Sequence, residues 1–172
     1  PDGSLERTTS DTAVAELDCY SSSAGCRLEQ TGIYRLVLAD LGGTGAGSYE
    51  VHYARVAQSN ENGSLVNDGV VSGDLSLGDL DSFVMEVNAG EAVHIRVVDV
   101  ASTALSPQVW LYNPDGTLEI TTSDTVVAEL DCYSTSSGCR LDQTGTYRLV
   151  VEELGSDVAG NYEIHYARVS QS

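Results

Sequence analysis

Apolar and polar residues alternate with a period of two along almost the whole chain, the pattern of strands that bury one face. Phe83, Met85, Val87 and Ala89 fall on one side of such a run, with Val84, Glu86 and Asn88 on the other. Val93, Ile95 and Val97 alternate with His94, Arg96 and Val98. Further on, Tyr147, Leu149 and Val151 alternate with Arg148 and Glu152, and Tyr162, Ile164 and Tyr166 with Glu163 and His165. Turn-forming clusters separate the runs: Asn88-Ala89-Gly90, Pro114-Asp115-Gly116, Thr144-Gly145 and Ala159-Gly160-Asn161. No segment carries a convincing helical period. The pattern predicts an all-β fold, an antiparallel β-sandwich or jelly-roll-like unit of eight or nine short strands over residues 60–172.

Part of this pattern occurs twice. Residues 1–59 align without a gap on residues 114–172, at a constant offset of 113, and 43 of the 59 positions are identical. Such similarity marks a recent duplication. Residues 60–172 make up one full 113-residue period, so the chain divides into the second half of a repeat (1–59) and one complete repeat (60–172). A half with some four strands cannot cover both faces of a sheet. It is therefore expected to need a first half like residues 60–113, from a longer chain or from another subunit. The start at Pro1, in the middle of the pattern, reads as a piece of something longer.

Composition narrows the surroundings. Twenty-six acidic residues face eight arginines and no lysine, for a formal net charge of −18. That balance disfavours nucleic acid, which is bound through Lys and Arg contacts to phosphate. No apolar run is long enough to span a membrane. The four cysteines fall as Cys19 and Cys26, then Cys132 and Cys139, each pair enclosing six residues. Zinc ligands are usually spaced more closely and gathered four at a time. One local disulfide per repeat fits better and implies an oxidising, extracellular or cell-surface setting.

Catalytic chemistry finds little support. His52 and His165 occupy the same repeat position, opposite the tyrosines of a strand, and His94 also points off the expected core. Glu16 and Glu129 are equivalent positions of separate repeats, not a facing acid–base pair. No nucleophile elbow, zinc-protease motif or phosphate-binding glycine loop is present. Trp110 reads as a packing residue. Asp79 and Asp81, two apart in Gly-Asp-Leu-Asp, share one side of an extended segment and are the candidate calcium ligands; solvated, turn-forming aspartates are the plainer reading. No cofactor is required. Asn62-Gly63-Ser64 is a glycosylation sequon between the repeats.

The runs GDLDSFVMEVNAGEAVHIRVVDV (78–100), VWLYNPDGT (109–117) and TGTYRLVVEELGSDVAGNYEIHY (144–166) resemble the bacterial pre-peptidase C-terminal domain. The resemblance spans residues 60–172, with 1–59 as a matching second half. It implies a jelly-roll-like sandwich that accompanies secreted proteases and surface proteins as a non-catalytic module, some members binding calcium near the Gly-Asp-Leu-Asp turn. The cysteine pairs and the tandem copies depart from that pattern. The expected function is a structural repeat of an extracellular filament or surface array, joined to itself head to tail by half-domain complementation. The alternative is a non-catalytic adhesion or substrate-targeting module that contacts cell-surface or matrix polymers.

Overall fold

A computed structural model describes residues 1–19, 26–55, 63–100, 104–133 and 138–169. Eight strands follow one another in the complete repeat: β1 (Gly69–Leu75), β2 (Asp81–Val87), β3 (Ala92–Asp99), β4 (Pro107–Tyr112), β5 (Leu118–Ser123), β6 (Val127–Cys132), β7 (Gly145–Glu153) and β8 (Gly160–Val169). They form two four-stranded antiparallel sheets, in the orders β1-β8-β3-β6 and β2-β7-β4-β5. This is the expected all-β sandwich, with the strand order of a jelly roll. No helix among the described residues is long and apolar enough to cross a membrane.

The core lies between the sheets and is filled by the alternate residues that the period-two pattern selects. Phe83, Met85, Val87, Leu111, Tyr147, Leu149 and Val151 from one sheet meet Val93, Ile95, Val97, Leu130, Tyr162, Ile164 and Tyr166 from the other. Gly73 on β1 stands opposite Tyr162, and a β-carbon there would overlap the tyrosine ring. Only glycine lets the Tyr162 ring lie against β1.

The topology has a property that the sequence did not show. Strands β1–β4 come from residues 60–113 and β5–β8 from residues 114–172. Within both sheets the two halves alternate strand by strand, so every ladder joins one half to the other. Neither half contains a pair of strands that bond to each other in this fold.

That arrangement explains residues 1–55. The four strands expected there do not form: among the described residues this segment has no strand at all. Its sequence is that of β5–β8, but its partners β1–β4 are already paired with 114–169. The apolar residues are left outside. Leu36, Leu38, Tyr49, Val51 and Tyr53 are 51–73 % exposed, whereas their counterparts Leu149, Val151, Tyr162, Ile164 and Tyr166 are at most 2 % exposed. Identical or near-identical side chains thus meet opposite fates, and the difference is the presence of the complementary strands.

Candidate functional surface

The cysteines pair as the spacing suggests, Cys19 with Cys26 and Cys132 with Cys139, with Cα atoms 4.6 Å apart in each. Cys132 ends β6 and Cys139 follows the next loop. Both are buried in the core cluster, so this clamp closes a hairpin-sized loop against the sandwich. Such a loop closure contributes about 2–3 kcal/mol in the chain-entropy account.

Asp79 and Asp81 are neighbours in sequence with separate tasks. Asp79 closes the turn before β2, accepting hydrogen bonds from the backbone N and Oγ of Ser76 at 3.3 and 3.2 Å. It also lies 3.0 Å from His52 Nδ1, a contact that ties residues 1–55 to the complete repeat. Asp81 is buried and accepts a hydrogen bond from the Tyr162 hydroxyl. Burial, and then this bond to a carboxylate, push the Tyr162 phenol above its ordinary range. Calcium takes six to eight oxygen ligands. The described residues bring no third His, Cys or acidic ligand into convergence with these two aspartates. As placed, Asp79 closes a turn and Asp81 accepts from the Tyr162 hydroxyl.

Convergent ligand atoms occur elsewhere. His94, Glu129 and Asp131 lie on the outer face of the β3–β6 ladder, their ligand atoms within 4.8 Å of one another. The register sets His94 opposite Asp131 and Arg96 opposite Glu129. Arg96 bonds Glu129, His94 contacts Asp131, and the Tyr133 hydroxyl meets His94 Nε2. The Arg96 guanidinium therefore already sits on one of the two carboxylates, that of Glu129. These are cross-strand polar pairs on the outer sheet face, and the Arg96–Glu129 ion pair contributes about 0.2–1 kcal/mol. The sequence placed His94 off the core correctly, but the partners follow only from the register. His165, also outward, pairs with Glu163 on its own strand at 3.4 Å.

The alternation fails on β7. Glu152, expected outside, is buried with its neighbours Val150 and Glu153. Trp110 on β4 donates its indole N–H to the Glu152 carboxylate. Burial raises the Glu152 pKa from 4.5 to about 7; the Trp110 bond opposes the rise, and the carboxylates of Glu16, Asp18 and Glu153 add to it. Glu16 and Asp18 belong to the unpaired segment, which therefore lies close to the outer face of β7. Trp110, read from sequence as a packing residue, is half-buried outside the core cluster, its polar edge satisfied by a carboxylate that sequence alone left in solvent. The repeat alignment holds the one available signal: Ala39 stands where Glu152 stands. A cleft of about 400 Å³ at one end of the sandwich is lined by Asn67, Ala89, Gly90, Glu91, Ala92, Arg168 and Val169, with Arg168 3.5 Å from Glu91. Asn62 of the sequon lies outside the described residues.

No model of a known protein family matches the chain, and no curated protein matches it. Among solved structures, it is similar to the pre-peptidase C-terminal domain of a collagenase from Bacillus anthracis, at 16% identity and a TM-score of 0.49, over 63% of this chain and 97% of that one. It is also similar to PliG of Salmonella Typhimurium, a periplasmic inhibitor of g-type lysozyme, at 17% identity and a TM-score of 0.43, over 64% of this chain and 100% of that one.

Proposed function

We propose that this chain is a non-catalytic module of an extracellular protein, present in repeated copies and acting through the surface that its sandwiches offer to cell-surface or matrix polymers. The observation that carries this reading is the duplication: 43 of 59 positions are shared between the two second halves, core and turns included. Repetition multiplies a binding surface. The titratable groups described above support it, since each is spent on structure: Asp81 on Tyr162, Glu152 on Trp110, His94 and Arg96 on cross-strand carboxylates. Two disulfides suit an oxidising compartment. A surface of net charge −18 favours cationic or cation-bridged partners and repels nucleic acid. Binding scans of the purified chain against polysaccharides, collagen-like peptides and basic peptides test the reading. Saturable, salt-sensitive binding to one of these supports it. Turnover of a substrate, abolished by a single side-chain substitution, would overturn it.

A structural array is the second reading, favoured by the exposed apolar side chains of residues 1–55. Residues 1–59 of one copy can enter a neighbour's residues 60–113 only where these are not already paired with that neighbour's 114–169. Electron microscopy of native material, with and without reductant, separates fibres of regular repeat from dispersed particles.

A further inference from the structure

Residues 1–55 keep the local framework of the folded second half even without its strands. Asp2 accepts from the N and Oγ of Ser4 at 2.9 and 2.6 Å, as Asp115 does from Thr117 at 2.9 and 2.6 Å. The Tyr34 hydroxyl receives the Gln30 N–H at 3.2 Å, as Tyr147 receives that of Gln143 at 3.1 Å. Glu6 Oε1 accepts from Arg27 N across 21 residues, as Glu119 Oε1 does from Arg140 N. The Cys19–Cys26 clamp is also in place. A half held in this way loses less conformational entropy when a partner docks.

We propose that residues 1–55 are a docking surface for a first half of this same repeat: a segment with the sequence character of residues 60–113 that lacks a second half of its own. Docking supplies the four missing strands and completes a second sandwich. The proposal rests on the repeated-module reading and names the partner of this one surface.

The side chains specify that occupant. Tyr34 and Leu36 repeat Tyr147 and Leu149, which stand opposite Met85 and Phe83 on β2. Tyr49 repeats Tyr162, so the incoming β1 must carry a glycine where Gly73 stands. Val51 and Tyr53 repeat Ile164 and Tyr166, paired with Val97 and Ile95 on β3. The differing positions are tolerable. Arg7 replaces Ile120 on the edge strand β5, and Ala39 replaces the buried Glu152. An intact second copy is not the occupant, because its residues 60–113 are filled by its own tethered 114–169 at high effective concentration.

The test is a chain carrying an extra copy of residues 60–113 ahead of Pro1, compared with residues 1–172 alone by amide exchange. In the extended chain, amides of residues 34–38 and 49–53 are expected to slow by about a thousandfold or more, while those of 147–151 stay as they were. Leu36→Asp should remove the new protection and leave that of 145–169 intact. In residues 1–172 alone the same substitution should change nothing, since Leu36 is already 58 % exposed. Unprotected amides in 34–53 of the extended chain would overturn the proposal. So would protection of 34–53 in residues 1–172 alone as their concentration rises, which would show that intact copies pair. Either failure leaves the binding scans of the module reading untouched.

Discussion

Leucine occurs at equivalent positions 36 and 149, and truncating each to alanine is a paired experiment with its own control. Leu149 is fully buried on β7 between the sheets, whereas Leu36 is 58 % exposed. Removing a buried leucine side chain loses its transfer free energy and leaves a cavity, at a cost of about 2–5 kcal/mol. β7 is flanked on both sides by β2 and β4, so the site cannot collapse readily and the upper part of that range applies. Leu36→Ala removes a side chain from solvent and should stay within about 0.5 kcal/mol of the parent. Urea unfolding followed by tyrosine and tryptophan fluorescence reads both. With a slope of about 1–3 kcal/mol per molar, a loss of about 4–5 kcal/mol in Leu149→Ala should lower the midpoint by about 1–5 M, and Leu36→Ala should leave it in place. Equal losses in the two variants would refute the claim that only one second half is folded.

Three further outcomes follow from the buried groups and the disulfides. Glu152 binds its proton more tightly in the folded than in the unfolded state, so stability falls as pH rises from about 4.5 to about 7, and the full cost persists above that window. Glu152→Gln keeps an acceptor for Trp110 and should flatten this slope, gaining at most about 2–3 kcal/mol at pH 8 and little at pH 4; parallel pH–stability curves for variant and parent would contradict it. Tyr162→Phe leaves the Asp81 carboxylate buried without its hydroxyl donor and should cost about 1–3 kcal/mol by thermal unfolding; an unchanged midpoint would show that Asp81 is satisfied otherwise. Replacing Cys132 and Cys139 by serine should cost about 2–3 kcal/mol, while the same change at Cys19 and Cys26 should leave the unfolding midpoint unmoved.

Much of the fold was legible because burial on one face imposes a period of two, and each turn announced itself through Gly, Pro, Asn or Asp. Phe83, Met85, Val93, Ile95, Tyr147 and Tyr162 could be placed in the core on that ground alone. Pairing was not legible. Which strand lies beside which depends on contacts far apart in sequence, so neither the alternation of the two halves nor the Arg96–Glu129 pair could be read beforehand. The alternation rule also misplaced Glu152, because it assumes one wet face, whereas Trp110 and the neighbouring acidic segment cover that part of β7. For Asp79 and Asp81, spacing said that two carboxylates lie near each other but not which donors reach them first. The cysteine pairing was within reach because each pair is local and the whole interval repeats.

The tripeptide Arg-Leu-Val occurs at 35–37 and again at 148–150, so hydrogen exchange of residues 1–172 compares one sequence in two settings, with closely matched intrinsic rates. The account predicts that the amides of Leu149 and Val150 exchange only on unfolding of the sandwich, about a thousandfold or more slower than those of Leu36 and Val37. Equal protection at the two places would mean that residues 1–55 already pair as strands and would contradict the account.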